Sequence, residues 1–263
     1  MNDDHLRVLQ CPRCKKRFPP QPAVENGEIV CQKGHTWTVE NGIPALSYPP
    51  PSEEDAKWIM EYDEMAKTYD DAVKLYDDWL GIDMMKERSS LSSYIPIEGR
   101  CRILDVSVGT AANFEAILNS VPQEMDRLSL HGLDLSRGML QVSAEKAQRL
   151  GFSLNLTYGS VFNLPFRKNS FEVVIHSGGL NTFSDIPRAL EEIHRVLAPK
   201  GFAVVIDEGL SPQKRETEEG KAIIETNSLF AARPPIEHVP DRARDVEVTY
   251  VMNDTFYQIV FSK

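Results

Sequence analysis

From Arg100 onward, short β-branched runs alternate with stretches of helical period. CRILDVSV (101–108) is followed by NFEAILNSV, RLSLHGLDL, MLQVSAEKAQRLG and NLTYGS, and then by FEVVIHS (171–177), ALEEIHRVLAPKG and FAVVIDEGL. Strand-like and helix-like segments in this order predict an α/β fold built on a parallel sheet. Near the end, VEVTYVM and TFYQIVFSK flank Asn253-Asp254, a turn pair that predicts an antiparallel C-terminal hairpin. Upstream, Ser52-Glu53-Glu54-Asp55 reads as a helix start in which the serine caps and the carboxylates favour the positive helix end. Trp58, Met65, Tyr69, Val73 and Tyr76 recur at helical spacing, and a second helix is expected from Asp83 to Tyr94. Residues 1–48 show no helical period, and Pro49-Pro50-Pro51 stiffens the exit from them. Three regions result: a small module over 1–50, a helical segment over 51–98 and an α/β domain over 99–263.

Composition narrows the options. The chain has 263 residues, 41% of them hydrophobic, which suffices for one large domain and a small module. It carries 39 Asp and Glu against 29 Lys and Arg, a net charge of −10 that argues against a broad nucleic-acid surface. No run approaches the roughly 18 apolar residues of a membrane span, and MNDDHLRVLQ lacks the apolar stretch of a secretory signal. A soluble, cytoplasmic protein without a membrane span is expected.

Three of the four cysteines lie in the first module. Cys11-Pro-Arg-Cys14 places two thiols on one knuckle, and Cys31-Gln-Lys-Gly-His35 adds a third thiol and an imidazole. The spacing predicts a closed tetrahedral site, for which zinc suits better than iron because one ligand is histidine. Four protein ligands leave no open position for catalysis, so the metal is expected to be structural. Few apolar residues are available here, so it would supply much of the module's folding energy. With Asn41-Gly42-Ile43-Pro44-Ala45-Leu46, these residues resemble the zinc ribbons at the front of some methyltransferases, including large-subunit rRNA guanine methyltransferases. Similar small ribbons partner other proteins.

In Arg102 to Asn113 an apolar strand runs into small residues and then a helix, the arrangement at which a nucleotide-like ligand approaches the backbone of a doubly wound sheet. A second strand ends in Asp134, whose carboxylate suits ribose hydroxyls. From Arg100 to Lys263 the chain resembles class I S-adenosylmethionine-dependent methyltransferases, of the quinone C-methyltransferase-like kind known as methyltransferase type 11. The resemblance implies a Rossmann-like seven-stranded sheet and S-adenosylmethionine as cofactor. It puts Asp105, Ser107, Gly109 and Ala111 at the acid and three glycine positions of the first loop, and Asp134 and Leu135 at the ribose. Gly138-Met139-Leu140 then packs beside the adenine, so Met139 joins the cofactor residues. Tyr158 to Phe166 resembles the family's Gly-Asp-Ala-x-x-Leu-Pro-Phe, with Ser160 replacing the aspartate and Val161 offering a backbone amide to the ring. Tyr62-Asp63-Glu64-Met65-Ala66-Lys67-Thr68-Tyr69-Asp70 resembles the Tyr-Asp-x-x-Ala-x-x-Tyr-Asp signature, which makes Tyr69 a lid residue; helical spacing alone reads it as packing.

A sulfonium methyl is already activated, so the protein mainly positions donor and acceptor and excludes water. His176, at the end of the fourth strand, is the candidate general base by its pKa range, or else a cofactor contact or pocket wall. Asn181 is a candidate for orienting substrate. His194, His238 and Cys101 read as structural. The leading expectation is transfer to a small-molecule acceptor, with the ribbon as a structural or protein-binding appendage. One competitor is an rRNA or tRNA base methyltransferase that grips RNA through Arg13, Lys15, Lys16, Arg17 and Lys33. Another is a catalytically silent binding module, suggested by the substituted Ser107, Ala111 and Ser160.

Overall fold

The computed structural model describes residues 3–20 and 24–263. The chain begins with a short helix, α1 (Asp3–Val8), in the segment whose sequence showed no helical period. Six residues are too few to display one, and tertiary bonds hold the turn: Ser129 Oγ donates to Asp4 (2.6 Å), and His5 Nε2 pairs with Thr157 Oγ1 (2.8 Å). The ribbon follows as an antiparallel sheet of β1 (Gly27–Val30), β2 (Thr36–Glu40) and β3 (Ile43–Pro44). Asn41 and Gly42, both at positive φ, turn β2 into β3 as a two-residue hairpin requires.

The ribbon is not packed by itself. Leu9, Phe18, Ile29, Val39 and Leu46 are buried in one continuous cluster with Leu133, Val161, Phe166 and Phe171 of the α/β region. Backbone bonds reinforce the join: Gln10 N donates to Pro165 O and Arg167 N to Val8 O (both 2.8 Å), and Leu46 N donates to Tyr158 O (2.7 Å). The scarcity of apolar residues seen in the sequence is therefore met by a neighbour's core.

The helical segment comprises α2 (Glu53–Met65), α3 (Tyr69–Leu80) and α4 (Met84–Ser89). Ser52 caps α2 as expected, accepting from Asp55 N at 3.1 Å. The continuous helix expected through Tyr76 is broken at Ala66–Thr68 by a 3-10 turn, which swings Asp63 and Asp70 towards different parts of the α/β domain. The helix expected from Asp83 to Tyr94 tightens to 3-10 after Ser89. Ser89, Ser90, Ser92 and Ser93 each donate to the carbonyl three residues back, in competition with regular α-helical pairing.

The large sheet contains β4 (Cys101–Val106), β5 (Leu128–Asp134), β6 (Leu154–Tyr158), β7 (Phe171–Ser177), β8 (Leu197–Glu208), β9 (Arg244–Val251) and β10 (Phe256–Ser262). The intervening helices are α5 (Ala112–Ser120), α6 (Arg137–Leu150), α7 (Ile186–Val196), α8 (Pro212–Arg215) and α9 (Glu218–Thr226). Strand order is β6-β5-β4-β7-β8-β10-β9, all parallel except β10, which runs antiparallel to both β8 and β9. The hairpin turn is longer than two residues, since Met252, Asn253 and Asp254 all take positive φ. Between β4 and β7 the order reverses direction, so the carboxyl ends of these strands leave the crevice in which doubly wound sheets bind ligands.

Because Phe166 is fully buried where ribbon and sheet share a core, Phe166→Ala is expected to cost about 3–5 kcal/mol. Denaturant titration followed separately by far-UV and tryptophan signals should show both shifting together. A loss confined to the ribbon would contradict the shared core.

Candidate active site and metal cluster

After β4 the backbone turns three times into the left-handed region, at Ser107 (φ 63°), Gly109 (φ 53°) and Ala111 (φ 62°). These are the three positions at which the resemblance places glycines, and the geometry explains the preference: a Cβ there costs on the order of 1–2 kcal/mol. The turn delivers the Gly109 amide to Asp134 Oδ2 at 2.9 Å, while Ser136 N donates to Oδ1 at 2.9 Å. Burial raises Asp134 to about 6, opposed by the backbone amides of Ser136, Gly109 and Leu135.

A cleft opens over this turn. Its floor is Ser107 to Thr110 with Asp134, Leu135 and Met139, and Gly159 and Val161 form one side. The roof is a stripe along α2, with Asp55, Trp58, Ile59 and Tyr62, joined by Tyr69. Two carboxylates fasten that roof. Asp63 accepts from Ser136 Oγ (2.6 Å) and Gly138 N (2.8 Å), and Asp70 accepts from Thr110 Oγ1 (2.6 Å) and Lys146 Nζ (2.8 Å). Lys146, almost wholly buried, also pairs with Glu115 at 3.0 Å. The far wall is Ser177, Gly178, Gly179, Thr182 and Phe183, with Gly178 and Gly179 at positive φ. Asp207, buried behind it, accepts from the amides of Gly179 (3.2 Å) and Asn181 (2.6 Å).

The structure thus brings Tyr69, Ser107, Gly109, Asp134, Leu135, Met139 and Val161 to one cavity. Asp105, Ala111, Ser160, His176 and Asn181 are not among its lining residues. Asp105 lies fully buried under the turn, accepting from Asn113 Nδ2 (3.0 Å) and raised to about 8 by burial. Ala111 is the residue before α5, and Ser160 Oγ accepts from Phe162 N at 3.2 Å. His176 is fully buried, with Nδ1 2.9 Å from Val106 O and its ring 5.0 Å from that of Phe183; burial lowers it to about 4. Asn181 is a strut: its amide donates to Glu208 O (2.8 Å), and its carbonyl accepts from Tyr257 OH (2.9 Å).

Sequence reasoning missed Asp55, Ile59, Arg88, Phe162, Thr182 and Phe183 as lining residues. Asp55, Trp58, Ile59 and Tyr62 do carry a signal, since they recur three and four residues apart on one face of α2. Arg88 carries none.

In the ribbon, the ligand atoms of Cys11, Cys14, Cys31 and His35 all lie within 4.8 Å of one another. Cys14 Sγ and Cys31 Sγ are 3.7 Å apart, and His35 Nδ1 is 3.5 Å from both Cys11 Sγ and Cys31 Sγ. A tetrahedral ion with bonds of about 2.3 Å to sulfur and 2.0–2.1 Å to nitrogen requires edges of roughly 3.8 and 3.5 Å, so the set fits such an ion. Each knuckle is closed by a tight turn, Lys15 N to Cys11 O and Gly34 N to Cys31 O, both 2.8 Å. Two of the five cations considered for RNA are engaged internally: Lys15 donates to Asn163 Oδ1, and Arg13 sits over the Tyr48 ring.

A largely parallel sheet with its cleft at the reversal point, an acid at the end of the second strand and a left-handed turn after the first are the features of the class I S-adenosylmethionine-dependent methyltransferase fold, and the chain has that fold. Residues 104–205 match the family described as Methyltransferase domain. The demethylmenaquinone methyltransferase of Staphylococcus epidermidis is 35% identical over 120 residues, 46% of this chain and 48% of the relative. The chain therefore matches about half the length of such curated relatives. A SAM-dependent methyltransferase from Aquifex aeolicus shares the fold at 17% identity with a TM-score of 0.53, over 76% of this chain and 97% of that one. Haemonchus contortus phosphoethanolamine N-methyltransferase 2, in complex with S-adenosyl-L-methionine, does so at 18% identity and TM-score 0.52, over 66% of this chain and 51% of that one. Among the described residues, no helix is long and apolar enough to cross a membrane.

Asp63→Ala removes the side-chain acceptor for Ser136 and Gly138 at the start of α6, and a cost of about 1–2 kcal/mol is expected. Hydrogen exchange should accelerate across residues 53–65 and 136–139 and not in β4. Unchanged protection of α2 would show that the roof is held by apolar packing alone.

Proposed function

We propose that the protein transfers the methyl group of S-adenosylmethionine to a small, flat, largely apolar acceptor. The observation that carries this reading is the Asp134 carboxylate, presented at the cleft by the Gly109 and Ser136 amides beneath an aromatic roof. Bound S-adenosylmethionine would supply an activated sulfonium methyl. Asp134 would accept from the two ribose hydroxyls, and the small side chain of Ser107 and the bare backbone of Gly109 leave room for the amino-acid tail. Val161 and Met139 border the position of the adenine. Trp58, Tyr62, Tyr69 and Phe183 shield the reacting centre from water, where positioning can contribute about 7–11 kcal/mol. The named activity of the Staphylococcus epidermidis relative supports a quinone-type acceptor. Trp58, Phe162 and Phe183 offer faces for such a ring. His176 and Asn181 serve as struts behind the far wall, without touching the acceptor.

The ribbon cluster is proposed to hold zinc through Cys11, Cys14, Cys31 and His35, with a structural role because all four positions are taken. Since the knuckle is tied to Asn163 and Pro165, metal binding also steadies the segment that ends the cofactor wall.

Calorimetric titration with S-adenosylhomocysteine tests the cofactor reading, and no binding at millimolar concentration would overturn it. Asp134→Ala should weaken binding by the loss of one or two charge-assisted bonds, about 1.5–3 kcal/mol each. Ribose donors favour the ionised carboxylate, so affinity should be level above pH 7 and fall as pH drops below about 6, where Asp134 takes up its proton. Asp134→Asn should abolish that dependence, and its persistence would assign it to another group. Elemental analysis should find about one zinc per chain, and a chelator should lower the melting temperature. A metal-free protein with the same melting temperature would refute the metal site.

A further inference from the structure

We propose that Arg88 is the carboxylate seat of the cleft, holding the amino-acid tail of the S-adenosyl cofactor; this rests on the cofactor reading above. Arg88 lies on α4 and lines the cavity, and its Nε is buried with no hydrogen-bond partner. No ion pair reaches its guanidinium among the described residues, although its charge is felt at Tyr69, Asp70 and Asp105. The neighbouring carboxylates are committed elsewhere. Asp70 serves Lys146 and Thr110, Asp105 serves Asn113, Asp77 accepts from Met84 N (3.1 Å), and Asp134 holds Gly109 and Ser136. A buried guanidinium N–H without an acceptor is costly, and the planar fork of the group matches a carboxylate in a bidentate pair.

Position selects the cofactor tail over an anionic acceptor. Helix α4 packs on α5, whose N-cap Ala111 is the last residue of the left-handed turn, and Asp105 accepts from Asn113 in the first turn of α5. With the ribose at Asp134, the amino-acid tail would lie on the Gly109 side of the cavity, which Arg88 also lines. The acceptor wall, by contrast, hangs from β7 and is pinned by Asp207 on β8.

The test is calorimetric titration of the full chain with two ligands, S-adenosylhomocysteine and 5′-methylthioadenosine, which lacks the tail. Wild type should prefer the former. Arg88→Met should lose roughly 10- to 100-fold for S-adenosylhomocysteine, as one or two charge-assisted bonds disappear, and nothing for methylthioadenosine. Arg88→Lys, a point charge without the fork, should fall between. Equal losses for both ligands, or no loss for either, would overturn the proposal while leaving the cofactor reading in place. So would an unchanged S-adenosylhomocysteine affinity with a raised acceptor KM, which would give Arg88 to the acceptor. Wild type binding neither ligand would sink the cofactor reading and this proposal with it.

Discussion

The hydrogen bond from the Gly109 amide to Asp134 is the constraint on which the site depends. It joins the turn after β4 to the end of β5, and the neighbouring Val108 N to Leu133 O bond (3.0 Å) holds the same register one residue earlier. To make it, the chain takes three left-handed residues in five, two of them with a Cβ, and accepts local strain at the point where a ligand must approach backbone. The bond also fixes both Asp134 oxygens, so the carboxylate is pre-set in direction before anything binds.

Around that point the molecule is assembled from segments far apart in sequence. Asn163, just past the wall formed by Gly159 and Val161, donates to Pro12 O (3.1 Å) and Tyr48 O (2.5 Å) and accepts from Lys15. The ribbon thereby grips the wall on both sides, with Leu46 pairing to Tyr158 before it and Gln10 to Pro165 after it. The roof is secured differently, by ion pairs and caps at Asp63 and Asp70 rather than by backbone ladders. Such side-chain fastenings open at lower free energy than a strand pairing, which suits an element that must admit ligand.

Much of this was legible locally. The alternation after Arg100, the Ser52 cap, the hairpin around Asn253-Asp254 and the Cys₃His spacing all rest on interactions spanning a few residues, and each has its counterpart in the fold. The cleft was half legible. Tyr69, Gly109 and Asp134 sit on recognisable motifs and do line it, whereas Asp105 and His176 sit on equally recognisable motifs and face the interior instead. A strand alternates its faces, and the motif does not reveal which layer covers each one.

The order of hydrophobic periods, the turn residues and the ligand spacing determined the kinds of element and the chemistry available, because these depend on near neighbours along the chain. Only the tertiary structure decided that the ribbon shares the sheet's core, that α2 roofs the cleft and that Arg88 faces it with no ion pair among the described residues. Those outcomes depend on which distant surfaces bury one another and on where each charge finds, or fails to find, a counter-charge. Neither is written in the spacing of a single segment.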